Sequence, residues 1–167
     1  MKLLLKVSIL AIAFILIIKS CSPFPNIGNS LIGQLAPDFT LETISGQEVR
    51  MTQFRKGQPA MIFFWATWCP HCRKQLKELT YNRQAIEANG IKIILVDVGE
   101  NVREVQKYIY ANNISFDIFL DDNAEVAKEY RLVGVPTFFF VNGEGIIVDV
   151  KNVLPDDYQE VLLPLTL

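Results

Sequence analysis

The stretch that most limits what this chain can fold into is Ala60–Gln75, AMIFFWATWCPHCRKQ. Its opening run, Ala60–Ala66, is apolar and rich in aromatics, and it is too short for a typical helix. It reads as a central strand buried on both faces. Thr67 and Trp68 end the strand. Pro70 suits the first position of a helix, where a missing N–H costs nothing. Cys69 therefore stands at or just before a helix N-terminus, where unpaired backbone N–H groups favour an anion. A thiol placed there loses its proton more readily, and the thiolate is the nucleophile. Cys72 follows about one helical turn later, close enough to close a disulfide with Cys69. His71 is the only histidine in the chain, and its charged form would stabilise the thiolate further.

A C-x-x-C pair can serve redox chemistry, zinc binding or a structural cross-link. A zinc site needs about four ligands. Beyond the pair itself the chain offers only Cys21 and His71, so no metal site is expected. A purely structural disulfide across so small a loop would add little by the loop-entropy argument. The pair is read as a redox couple. Cys69 attacks a partner's disulfide, and Cys72, on the buried side of the helix, resolves the mixed disulfide. No cofactor beyond this disulfide is expected. Trp68 flanks the pair and reads as a flat apolar surface for partners, whereas Phe64 and Trp65 read as core.

The chain has 167 residues, enough for one domain with a sizeable core. Residues 1–21 read as a targeting segment: a signal peptide, a lipoprotein signal or a membrane anchor. Lys2 and Lys6 form a positive start, and Val7–Ile18 is an almost wholly apolar run. That length suits a signal peptide and is short for a spanning helix, which takes about 20 residues. Either reading exports the globular part. Cys21, after Ile18-Lys19-Ser20, looks like a lipoprotein processing site, although Lys19 departs from the usual pattern. Lipidation of Cys21, an uncleaved anchor and ordinary cleavage all remain open. Residues 22–31, rich in Pro, Ser, Asn and Gly, read as a tether. Residues 32–167 are the expected folded domain. Without residues 1–21 the chain carries 13 basic and 18 acidic residues, a balance that gives no reason to propose nucleic acid as a partner.

Along the domain, Asp38–Leu41 and Glu48–Met51 alternate around Ser45-Gly46-Gln47 as a hairpin. Arg55–Pro59 reads as a loop before the central strand. Leu76, Leu79 and Ile86 share one helix face, which Asn89-Gly90 ends. Ile91–Val98 is a second apolar strand. Asn101 with Glu104 has capping-box form and opens a helix with Val102, Val105 and Ile109 inward. Phe116–Leu120 is a short strand. Asp122 and Glu125 repeat the capping pattern before a helix to about Arg131, with Val126 and Tyr130 inward. Thr137–Val141 and Ile146–Val150 flank Asn142–Gly145 as a hairpin, and Asp156–Leu163 is a last short helix. Asp97 and Asp121 fall at strand ends and read as solvated loop acids or helix caps. The alternation predicts an α/β fold, a mixed sheet with helices on both faces.

FFWATWCPHC resembles the corresponding stretch of the thioredoxin superfamily, and in particular of TlpA- and ResA-like extracytoplasmic thiol-disulfide oxidoreductases. IGQLAPDFTL and RLVGVPTFFFVNGEG extend the resemblance over about Ile32–Val150. The resemblance implies a thioredoxin-like fold with an N-terminal β-hairpin and a βα insertion over about Asn101–Leu120. It implies that Pro136, in Val135-Pro136-Thr137, is cis and lies against the cysteine pair, leaving the Val135 backbone to pair with an extended partner peptide. It implies a reductase of exported disulfides, for example in cytochrome c maturation or redox homeostasis, recharged by a membrane electron donor. The corresponding location is extracytoplasmic, with the N-terminal segment or a lipid on Cys21 as the anchor.

Two departures from the resemblance stand out. Phe63 and Gln75 occupy positions where relatives carry an acid that assists the second thiol, so slower resolution by Cys72 is expected. The dipeptide Pro70-His71 is the one found in the oxidase DsbA, and it keeps a DsbA-like protein thiol oxidase as the alternative. A peroxiredoxin-type peroxidase is disfavoured because Ala66 stands where an activating hydroxyl is needed. A Cu(I)-handling module would use the two thiolates as ligands.

Overall fold

The computed structural model describes residues 30–163. The targeting segment read over residues 1–21, the Cys21 processing site and nearly all of the tether lie outside the described residues. Among the described residues no helix is long and apolar enough to cross a membrane.

Among the described residues seven strands and five helices are formed. Strands β1 (Thr40–Glu42) and β2 (Glu48–Arg50) pair antiparallel as a separate two-stranded sheet. The turn between them uses Gly46 at φ 78°, a conformation that costs glycine little. The main sheet has the order β5-β4-β3-β6-β7. Its strands are β3 (Ala60–Trp65), β4 (Lys92–Val98), β5 (Ile118–Asp121), β6 (Thr137–Val141) and β7 (Ile147–Lys151). The β3–β4 and β4–β5 pairs are parallel, and β6 runs antiparallel to both β3 and β7. Connections between parallel strands need a crossover. Here α2 (Pro70–Ala88) and α3 (Val102–Ala111) supply them. The remaining helices are short: α1 (Met51–Arg55), α4 (Glu125–Glu129) and α5 (Tyr158–Leu162).

Every residue of β3 is buried, which explains why its sequence shows no polar alternation. Met61, Phe63 and Trp65 face one core with Cys72, Leu76, Leu79, Ile86, Val105 and Ile109. Ala60, Ile62 and Phe64 face the opposite core with Met51, Val126 and Tyr130. The period-2 geometry of a strand thus sends neighbouring residues into two separate apolar layers. Phe63 stacks on its cross-strand partner Phe138, with ring centroids 4.2 Å apart.

Several local expectations need correction. Arg55 does not belong to a loop but ends α1, and it is buried. Its guanidinium donates to the carbonyls of Gln58, Asn142 and Gly143 at 2.6, 2.8 and 3.2 Å. That cluster of acceptors accommodates a buried cation that composition alone would place in solvent. Val102 is not inward: it sits 38% exposed on the first turn of α3. Asp122 does not cap α4. The N-cap position is Ala124, while the carboxylate of Asp121 accepts from Val126 N and Ala127 N at 3.1 and 2.8 Å. The capping box on α3 is present, with Asn101 and Glu104 in both of its hydrogen bonds.

Candidate active site

The end of β3 delivers Cys69 to the start of α2 through a tight turn in which Cys69 N donates to Ala66 O at 3.2 Å. Cys69 is the N-cap residue, extended at φ −84°, ψ 112°, and Pro70 follows at the first helical position. The Cys69 sulfur takes the place of the usual oxygen cap. It accepts from Cys72 N at 3.2 Å, so one orphan donor of the helix start is spent on that sulfur. Cys69 and Cys72 form a disulfide with their Cα atoms 5.2 Å apart. Cys69 is 4% exposed and Cys72 is fully buried, so a partner's sulfur can reach only the first of them. His71 is exposed, and Trp68 stands 66% exposed beside the pair.

The loop before β6 faces this junction. The Val135–Pro136 bond is cis, and the Val135 carbonyl oxygen lies 3.8 Å from the Cys69 sulfur. Thr137 Oγ1 donates to Gly134 O at 2.7 Å, and Asn152 Nδ2 donates to Pro136 O at 2.8 Å. These bonds fix the loop from both sides. Between the loop and α2 runs a groove of about 510 Å³ lined by His71, Gln75, Val135, Pro136 and Asn152, among others.

Positions 63 and 75 hold no acid. Gln75 is buried. Its Oε1 accepts from Leu154 N at 2.6 Å and its Nε2 donates to Glu78 Oε2 at 3.1 Å, so its amide ties α2 to the chain leading into α5. Two buried carboxyls, Asp97 on β4 and Glu100 just after it, lie beside the end of β3. Glu100 accepts from both the backbone N–H and the hydroxyl of Thr67, gripping the turn that carries Cys69. Asp97 lies in register with Trp65 on the neighbouring strand and is fully buried. In-register neighbours point to the same face, and Trp65 faces the core that contains Cys72. No donor reaches either Asp97 oxygen. Burial foremost, then the neighbouring Glu100 and the charges of Glu104 and Asp121, pushes its pKa up to about 9. At neutral pH Asp97 therefore keeps its proton. The reading of Asp97 as a solvated loop acid or cap is thereby overturned, whereas Asp121 is a cap. The signal that could have revealed Asp97 is its place in the run IILVDV, where an acid interrupts a strand otherwise buried on both faces.

A thioredoxin-like fold that presents a cysteine pair at a helix start, against a cis-proline loop, defines the class of thiol-disulfide oxidoreductases. The comparisons agree. The chain belongs to the AhpC/TSA family, whose model matches residues 32–150. Sporulation thiol-disulfide oxidoreductase A of Bacillus subtilis (strain 168) is 34% identical over 116 residues, which cover 68% of this chain and 69% of that protein. Thiol-disulfide oxidoreductase ResA of the same organism is 30% identical over 137 residues, covering 79% and 76% respectively. The crystal structure of StoA from Bacillus subtilis superposes with a TM-score of 0.63 at 29% identity, over 76% of this chain and 96% of that one.

Proposed function

We propose that the chain is a reductase of disulfides in exported proteins, working through Cys69 and Cys72 with no other cofactor. The observation that carries this reading is the Cys69–Cys72 disulfide at the start of α2, with only Cys69 near the surface and the Val135 carbonyl beside it. In the reduced form, the Cys69 thiolate attacks one sulfur of a partner disulfide. A Cys69–partner bond forms, and the partner's other sulfur leaves as a thiolate that takes up a proton. Cys72, deprotonated, then attacks Cys69 Sγ. The intramolecular disulfide forms and the partner's second thiolate departs and is protonated. Two electrons pass to the partner, and a thiol donor restores the dithiol by the reverse sequence.

The partner's extended backbone pairs with Val135, and Pro136 shapes that edge. Trp68 offers an apolar surface next to the reacting sulfurs. Pro70 and His71 tune the thiolate. Clients are exported proteins bearing disulfides or thiols, with cysteines of apocytochrome c as one class, and a membrane electron donor recharges the pair. The apolar segment of residues 1–21, or a lipid on Cys21, holds the domain outside the cytoplasm at the membrane.

The test is reduction of a protein disulfide such as insulin by the full chain with excess dithiol. Cys69→Ser is expected to fall to the background rate; equal turnover by the variant overturns the reading. The Pro70-His71 dipeptide favours a second reading, a DsbA-like oxidase. The reduction potential separates the two. A reductase is expected below about −200 mV, and a value near −120 mV assigns the oxidase role.

A further inference from the structure

The start of α2 has an unusual charge. It carries no acidic residue in its first turn, yet Arg73, Lys74 and Lys77 follow within two turns. The positive end of the helix dipole disfavours cations near the first turn, where Arg73 stands. Among the described residues none of the three is in an ion pair.

These cations line a cleft between α2 and α3. It has a volume of about 630 Å³ and is walled by Pro70, Arg73, Lys74 and Lys77 from α2, by Tyr108 from α3 and by Asn112 just after it. It continues into a depression of about 270 Å³ that shares Arg73, Lys77 and Tyr108 and ends at the exposed Tyr81. No carboxylate lines either part. Burial raises the Tyr108 pKa, against a smaller lowering by Arg73, so its phenol stays neutral and leaves the positive charge uncancelled. The cleft includes Pro70, between the two cysteines, and shares Lys74 with the cis-proline groove.

We propose that this cleft is the docking site for an acidic segment of the partner protein, adjoining the partner's reactive sulfur. The inference rests on the disulfide-exchange reading and names the class of partner it selects. A carboxylate-bearing segment answers the unpaired cations, and the concave wall with two tyrosines takes an extended chain. The chain as a whole is net negative, but charge beyond about 10 Å is screened at 0.1 M salt. An acidic segment seated in the cleft therefore meets chiefly Arg73, Lys74 and Lys77. Local complementarity of this kind acts mainly on the rate of encounter.

The experiment uses three synthetic peptides, each closed by one disulfide and identical except for a flanking triplet that is acidic, neutral or basic. Rate constants for their reduction by the reduced full chain are compared at low and high salt. The acidic peptide is expected to react about tenfold faster than the neutral one at low salt. The basic peptide should be slowest, and the spread should collapse at high salt. Arg73→Glu with Lys77→Glu reverses the order, and the Gln pair flattens it. Any change in redox potential affects all three peptides alike and cancels in the ratio. Equal rates for the three peptides with the parent chain, or an unchanged order in the charge-reversed variant, overturn the docking proposal and leave disulfide exchange standing. Failure to reduce any peptide overturns both.

Discussion

At the scale of single residues, Asp97 makes stability depend on pH. Its carboxyl keeps its proton in the folded state up to about pH 9, against an ordinary value of 3.8 in the open chain. Between those values the folded state binds the extra proton, so stability is greatest at the acidic end and falls as pH rises. Asp97→Asn removes a group that must be held neutral at a cost. The variant is expected to be more stable than the parent at pH 8, on the order of 2–4 kcal/mol, with a flatter pH profile. Urea midpoints between pH 5 and pH 9 test this; a parent midpoint that does not fall across that range contradicts the assignment. Cys69 is the opposite kind of residue. Its replacement by serine is expected to leave the fold intact, because a hydroxyl also serves as an N-cap, while disulfide exchange is lost.

At the scale of elements, α2 and α3 show how local chemistry sets boundaries. Pro70 opens α2 and Asn89-Gly90 closes it, with Gly90 at φ 74°. On α3, the side chain of Asn101 accepts from Arg103 N and Glu104 N at 3.1 and 3.2 Å. Asn101→Ala is expected to lower stability by about 1 kcal/mol. Thermal melts should show it, with no change in the rate of disulfide exchange, since α3 contributes no reacting atom. Where such local rules fail, a tertiary contact has taken over. Asp122 and Glu125 have capping spacing, yet the donors of α4 turn to Asp121 at the end of β5. Asp121 is anchored in a buried strand, whereas Asp122 lies in an exposed turn, so the ordered carboxylate makes the bonds.

At the scale of the whole molecule, two apolar layers press on one sheet, and this decides what each β3 position tolerates. Phe63 lies in the layer under α2, stacked on Phe138. Phe63→Asp places an acid where thioredoxin-like relatives carry one. In this chain it removes a packed ring, costing about 3–5 kcal/mol as aromatic deletions do, and buries a carboxyl without a partner. The expected outcome is a marginally folded protein with no faster exchange, read by a urea melt and the insulin assay. A stable variant with quicker turnover would contradict the packing argument.

The strand–C-x-x-C–helix junction, the two hairpins, the α3 cap and the helix faces, Val102 apart, were legible in the sequence. Their causes act between residues a few positions apart: a proline at a helix start, a sulfur three residues from the N–H it accepts, apolar side chains repeating at strand or helix period. What only the tertiary structure decided depends on partners far along the chain. Glu100 grips Thr67 across 33 residues, and Gln75 holds Leu154 across 79. Asp97 looked like an ordinary acid at the end of a strand. Its proton is set by the buried interior beside Trp65, and the apolar run around it hints at that burial without fixing what surrounds it.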